Sequence, residues 1–413
     1  MYKNALTTYH RFPRQFWLMA AGLFIMSAGA SMVWPFLMIY VSNTLSLPMS
    51  KAASLITINA GAGLVSSLVA GSVADRFGRK LVMVISLFTN GVIYLFLSQA
   101  DSYGSFALLM LLAGFSNPLY AVGADAMLAD LLTVEKRSDG YATIRMVNNA
   151  GIAIGPAVGG FIAGKSYDLA FLGAAIGMLS YGFLLLFFAK ETLDRTVVRV
   201  RGTAEKASGG FRRVFRDKGY IAFTGLIAFG LIAPAMLWSL LAVYSNQNYG
   251  MSEQLFGWIP TTNALMCVFI QMPVTQVTKR FRALPVIAMG MLVYAIGVGS
   301  VALMVGFWGF WLAMVIMTFG ELILVPTASK FVADRSPVDL RGRYMSIYWM
   351  TQGLARAIGP LYGGWLNDNY SPRAIWLGGL GVGLTSTVGL FSLSSRMPGP
   401  PEEESITKSE LER

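Results

Sequence analysis

Four ionisable side chains stand inside long apolar runs of this 413-residue sequence: Asp125, Arg145, Glu321 and Arg356. A charge withdrawn from water is costly, so such groups pair, face a watered cavity or carry a function. Glu321 lies thirteen residues from Asp334, and Arg356 lies thirteen from Arg343. At about 1.5 Å per residue, both sit roughly 20 Å in from the same end of their helices. Opposite charges at matched depth on consecutive helices predict an ion pair. Asp125 and Arg145 repeat the logic nearer that end, five residues in from Asp130 and eight in from Arg137. For both pairs the alternative is a structural lock between two helices, and for Asp125 with Arg145 it is the more economical reading. Glu321 asks for more, because a carboxyl in a cavity of low polarity can exchange a proton for a cationic substrate.

The elements that position these charges follow from composition. With 55% hydrophobic residues, 13% charged and a mean hydropathy of +0.58, the chain has too little polar surface to coat a soluble globule of its size. A bilayer span takes about 20 apolar residues. Candidate spans fall at 15–40, 52–73, 81–99, 105–130, 141–164, 170–189, 220–244, 253–276, 284–304, 308–332, 343–366 and 373–395. The expected fold is therefore an all-α integral membrane protein of twelve transmembrane helices in two six-helix bundles. The bundles run over 1–189 and 220–395, with a basic linker at 190–219 and a disordered tail at 396–413. The linker carries nine Lys and Arg around Ala207-Ser208-Gly209-Gly210.

Allotting loops alternately gives the side of the N-terminus 27 of the 32 Lys and Arg, and the other side only Lys51, Lys165 and Arg373. That bias places both termini in the cytoplasm. A net charge of +11 distributed this way sets topology and does not call for nucleic acid. The first apolar run is too long for a cleaved signal peptide and lacks a small-residue cleavage site. His10 and Cys267 are each the only residue of their type, so there is no metal cluster, no disulfide and no nucleophile with a histidine base. An enzyme is disfavoured, and neither metal nor cofactor is expected.

The sequence also repeats. Gly151, Gly155, Pro156, Gly159 and Gly160 punctuate one apolar run, and Gly359, Pro360, Gly363 and Gly364 punctuate another, each Gly-Pro and Gly-Gly pair displaced by 204 residues. Met32, Trp34 and Tyr40 match Met236, Trp238 and Tyr244 at the same displacement, Asn59 matches Asn263, and Asp130 matches Asp334. Six spans per unit make the repeat parallel, about an axis along the membrane normal. The repeat mate of Glu321 is the neutral Asn117, so that charge belongs to the second half alone, and Ile152 becomes Arg356. Glycine-rich stripes let helices approach closely. Trp34, Phe36, Tyr40, Trp238, Tyr244, Tyr348 and Trp349 can form an aromatic wall for lipophilic ligands; interface-belt packing is the alternative.

Gly71-Ser72-Val73-Ala74-Asp75-Arg76-Phe77-Gly78-Arg79-Lys80, after the second span, resembles the loop signature of the major facilitator superfamily. Gly-x3-Gly-Pro-x2-Gly-Gly in the fifth span resembles the antiporter motif of its drug:proton exporters, and Gly320-Glu321 resembles their acid in the tenth span. The resemblance covers residues 10–395. It implies the major facilitator fold and a latch in which Gly71 and Asp75 approach the eleventh span, Gly78 makes a tight turn and Arg79 pairs with Asp130. Arg76 belongs to the same string, for which enforcing topology is the alternative role. In the second copy Lys279 and Ala283 replace Asp75 and Arg79, so the latch is expected to be asymmetric. The family picture also sets the fifth span against the eighth and the eleventh against the second. One departure is Met110, four residues before Gly114, where many relatives carry an arginine. The implied function is proton-coupled efflux of hydrophobic or cationic small molecules by alternating access, from a monomer in the inner (plasma) membrane with lipids around it. A lipid or glycolipid translocator, or a dedicated metabolite exporter, is the alternative on the same scaffold.

Overall fold

The structure is a computed structural model that describes residues 12–193, 210–337 and 340–397. His10, most of the linker and the tail beyond Met397 lie outside the described residues. All regular structure within them is helical. In the first half, α1 (Arg14–Val33) passes through a 3₁₀ turn at Trp34–Phe36 into α2 (Leu37–Leu45), followed by α3 (Met49–Phe77), α4 (Arg79–Leu97), α5 (Tyr103–Leu131), α6 (Val134–Ala163) and α7 (Tyr167–Phe188). After the short α8 (Gly210–Phe215), the second half comprises α9 (Lys218–Gly230), α10 (Ile232–Tyr249), α11 (Glu253–Phe256), α12 (Trp258–Phe269), α13 (Gln271–Thr278), α14 (Ala283–Ser300), α15 (Gly306–Arg335), α16 (Arg341–Asn369) and α17 (Ala374–Arg396). Pro35 lies in the 3₁₀ turn, where its missing N–H breaks the first span, while Pro118 and Pro326 sit inside α5 and α15.

Ten segments are long and apolar enough to cross a bilayer, and Glu253–Phe269 with Gln271–Thr278, bent by 56°, makes an eleventh. The remaining candidate span, 343–366, lies within α16, a helix of 29 residues. It is long enough to span, but Arg343, Gln352 and Arg356 dilute its apolar character. The chain is a multi-pass membrane protein.

The halves meet along two seams. On one, Thr57 Oγ1 of α3 donates to the Ala357 carbonyl of α16 at 2.6 Å. On the other, Thr261 Oγ1 of α12 donates to the Ala153 carbonyl of α6 at 3.0 Å. Adding 204 to Thr57 gives Thr261, and subtracting it from Ala357 gives Ala153. The glycines obey the same arithmetic: a Cβ on Gly364 would stand 2.6 Å from Ser50 Cα, and one on Gly160 would collide with the Glu253 carbonyl beside Gln254. At the end of the bundle remote from Arg14 and Arg396, the Asp368 carboxylate accepts from the Met49 and Ser50 amides at 3.1 and 2.9 Å. Tyr167 Oη donates to Glu253 Oε1 at 2.8 Å. All five hydrogen bonds that join the halves among the described residues lie from this remote end to mid-depth. The bundle is closed there. At the terminal end a Cβ on Gly71 would meet nothing within 4 Å.

The glycine strings therefore serve two contacts. Gly151, Gly155 and Gly159 pack on Phe24, Ala28, Ser31 and Met32 of α1, while Gly359 and Gly363 pack on Ile232, Ala235, Met236 and Leu240 of α10. Only Gly160 and Gly364, with the Pro156 carbonyl against Gly257, face the opposite half. The expected facing of the fifth span to the eighth and of the eleventh to the second therefore runs through one edge of each string, with the rest of its glycines turned to the neighbouring helix of the same half.

Candidate functional site

Glu321 lies midway along α15, half-buried. Its Oε2 accepts from Asn263 Nδ2 of α12 at 2.9 Å, and the same amide nitrogen donates to Thr318 Oγ1 at 2.9 Å. Thr318 Oγ1 in turn donates to the Met314 carbonyl one turn away, which fixes its lone pairs toward the amide. Asn263 was visible in the sequence as the repeat mate of Asn59 yet carried no assigned role. Asn59 donates instead to the Met110 carbonyl at 2.9 Å.

The predicted Glu321–Arg356 ion pair does not form: no guanidinium lies within 4.0 Å of the carboxylate among the described residues. Both Arg356 and Arg145 act on it electrostatically from a greater distance. Matched depth did not ensure contact, because Arg356 is exposed while Glu321 turns to Asn263. Asp125 and Arg145 do not pair either. Arg145 acts electrostatically on Glu321 and Cys267, whereas Asp125 has no ion-pair partner among the described residues and its backbone carbonyl accepts from Tyr141 Oη at 3.1 Å. Asn117 is exposed on α5 and makes no hydrogen bond among the described residues.

The aromatic wall divides. Trp34, Trp238 and Trp349 are exposed. Phe36, Tyr244 and Tyr348 are about 1% exposed and belong to the packing. Tyr244 is closed in by Tyr249, Phe310 and Trp376, and Phe36 meets Phe256 across the halves. Tyr40 sits among Phe106, Tyr167 and Phe171, its hydroxyl spent on the Ser98 carbonyl. These four are corrected from ligand wall to packing: Phe36, Tyr244 and Tyr348 are buried, and half-buried Tyr40 is packed among three rings with its hydroxyl already bonded.

At the terminal end the first half carries the loop signature. Buried Arg79 pairs with Asp130 of α5, and Asp75 stands 4.0 Å from the same guanidinium. Gly78 takes φ +101°, a conformation that favours glycine, and a side chain there would strike Glu191. The sequence did not single out Glu191, whose carboxylate accepts from the Arg79 and Lys80 amides at 3.1 and 3.0 Å and from those of Thr192 and Leu193. Arg76 lies outside this network, over the Phe77 ring. Asp75 makes no hydrogen bond to α16 among the described residues, and Gly71 has no close neighbour, so the expected approach to the eleventh span is absent in this conformation. The physical reason is that the hydrogen bonds holding the halves together among the described residues all lie from the remote end to mid-depth.

The second half holds its terminal end differently. Asp217 caps α9 through the Tyr220 amide at 3.0 Å and accepts two hydrogen bonds from Arg335, at 2.6 and 2.8 Å. Tyr344 Oη adds a third side-chain donor at 3.3 Å. Burial pulls the Asp217 carboxyl upward, but the Arg335 guanidinium, the Tyr220 amide and the Tyr344 hydroxyl outweigh it and hold it below the usual carboxylate range.

Comparison with known proteins places this architecture. The chain is 27% identical over 372 residues to the MFS-type transporter YttB of Bacillus subtilis, covering 88% of this chain and 91% of that one. It is 26% identical to a Na(+), Li(+), K(+)/H(+) antiporter of Planococcus maritimus, over 82% of this chain and 86% of the relative. The multidrug resistance protein MdtH of Yersinia enterocolitica is 23% identical, over 78% of this chain and 80% of that protein. In fold, the crystal structure of the nucleoside transporter NupG superposes with a TM-score of 0.76 at 13% identity, covering 92% of this chain and 99% of that one. The two-halved bundle and the loop signature around Arg79 agree with the family model that matches residues 19–239 and 231–412, and the chain belongs to the Major Facilitator Superfamily of transporters.

Proposed function

We propose that this transporter exports hydrophobic small molecules in exchange for protons, by alternating access, with Glu321 as the proton-exchanging group. The observation that carries the reading is the environment of that carboxyl: inside the bundle, held by the neutral donor Asn263 rather than locked in an ion pair. A carboxyl tied into a tight salt bridge is fixed in its charged form, whereas one hydrogen-bonded to an amide can change protonation without losing its position. The multidrug and cation/H(+) antiporter names among the relatives support the same direction. Of the hydrophobic or cationic substrates expected, two arginines within electrostatic reach of Glu321 weigh against the cationic ones.

In this proposal the twelve spans form two parallel repeats of six, over 1–189 and 220–395, a reading supported by the contacts that map onto one another at 204 residues. The protein is a monomer in the plasma membrane with both termini in the cytoplasm, so the conformation described is closed on the outside and open to the cytoplasm. Asp75, held beside the Arg79–Asp130 ion pair, serves as the cytoplasmic latch when that end closes.

Reconstitution in proteoliposomes tests the coupling. A proton gradient should drive movement of a neutral lipophilic dye by the wild type, and Glu321→Gln should abolish gradient-driven movement while leaving the protein folded. Dye or lipid movement that ignores the gradient and survives Glu321→Gln would favour a lipid translocator and sink the proton exchanger.

A further inference from the structure

Among the described residues, two guanidinium groups inside the bundle have no hydrogen-bond or ion-pair partner. They belong to Arg145 on α6 and Arg356 on α16, and both residues are exposed. An unpaired guanidinium at this depth facing lipid would be costly, so each must face the watered space between the halves. Their placement agrees. Arg356 precedes Ala357, which accepts the α3 seam hydrogen bond, and Arg145 lies eight residues from Ala153, which accepts the α12 one. The two arginines thus come from opposite halves, Arg356 beside one seam and Arg145 roughly 12 Å to the terminal side of the other.

The charges do not balance. Arg145 and Arg356 both act on Glu321, while Asp125 forms an ion pair with neither among the described residues. Glu321 is one negative charge against two positive ones, and part of its acceptor capacity goes to Asn263. Trp349 is exposed on α16 two turns from Arg356, a spacing of seven residues that puts both on one face of the helix. An apolar surface therefore lies next to a cationic one. A guanidinium offers a planar fork that matches carboxylate or phosphate oxygens, and two such forks repel an ammonium.

We infer that Arg145 and Arg356 form an anion subsite in the central cavity, which takes the acidic group of a lipophilic carboxylate while its apolar body lies toward Trp349. This rests on the cavity being the transport site, but not on Glu321 exchanging protons. An anion held between the two arginines touches both halves at once, which makes it a ligand whose affinity differs between the two conformations. Its export is also favoured by an inside-negative membrane potential, with or without a returning proton.

Three pyrene probes with identical linkers and a carboxylate, a carboxamide or a trimethylammonium head test the subsite. Binding to the purified full-length protein is read by fluorescence, and movement is read in proteoliposomes. The wild type should prefer the carboxylate over the amide by at least about tenfold, the worth of one charge-assisted hydrogen bond. Arg145→Gln and Arg356→Gln should each collapse that ratio, with Arg145→Lys and Arg356→Lys keeping part of it; gel filtration and thermal melting confirm folded variants. Glu321→Gln should leave carboxylate binding intact or tighten it, because it removes the competing negative charge. Preference for the trimethylammonium head, or a carboxylate preference that persists when both arginines are replaced by Gln, would overturn the subsite. A carboxylate preference without movement into or out of liposomes would instead overturn the transport reading and leave the subsite standing.

Discussion

Asp217 does several things with one carboxyl: it caps α9, receives the fork of Arg335 from the end of α15 and accepts the Tyr344 hydroxyl from α16. Its folded-state pKa is depressed, so its contribution is fully present above the unfolded value and is lost as pH falls through the folded one. The melting temperature of the wild type in detergent should therefore decline as the pH drops below about 4, and Asp217→Asn should remove that part of the decline. At neutral pH, Asp217→Ala should cost about 2 kcal/mol, the scale of a hydrogen bond to a charged group. An unchanged melting temperature in both variants would count the cluster as decoration. None of this was legible in the sequence, since Asp217 and Arg335 are 118 residues apart and no repeat mate marks them. Arg79 with Asp130 was found only through the resemblance. Depth along a helix, which residue counting gives well, identified Glu321 and Arg356 as midplane charges; rotation about the helix axis, which it gives poorly, decided that Glu321 would meet Asn263 instead.

Helix by helix, the sequence located the contacts better than it assigned them. Glycines at 151, 155 and 159 recur every fourth residue, so they stay on one stripe, and that stripe packs on α1. Gly160 is rotated by about 100° from Gly159 and so reaches α11 in the other half. The period showed that close packing was required, while the choice of neighbour depended on a rotation of one residue. That division yields a test. Gly160→Val and Gly364→Val place side chains against the Glu253 carbonyl and the Ser50 backbone, so they should disfavour closure of the end remote from the termini. A cysteine at Ser50, in a Cys267→Ser background, should then react faster with a membrane-impermeant thiol reagent, by several-fold. Gly71→Val is the control: with nothing within 4 Å of its Cβ, it should leave this reactivity as in the wild type. Equal labelling in all three would mean that the glycines are not what permits closure.

For the whole molecule, composition and charge distribution were enough for a two-halved helical membrane protein, while which end of the bundle is closed is written only in the structure. The conformation described joins the halves through Asp368, Glu253, Thr57 and Thr261, and leaves Asp75 and Gly71 without the α16 contact that the loop signature implies. If the halves rock as rigid bodies about the mid-depth seam, opening the remote end must bring Asp75 toward the first turn of α16, where the helix dipole favours a carboxylate. The double variant Asp75→Cys with Gly342→Cys, again without Cys267, reports that movement. A disulfide needs Cα atoms within about 7 Å, so oxidative cross-linking should be slow in this background and rise sharply when Gly160→Val and Gly364→Val are added. The two glycine positions lie at the opposite end of the bundle from the cysteines, so a rise can reach them only through movement of the halves. Cross-linking that is equally fast without the valines would show the terminal end already closed, and cross-linking that stays slow with them would show that the two ends do not move as one body.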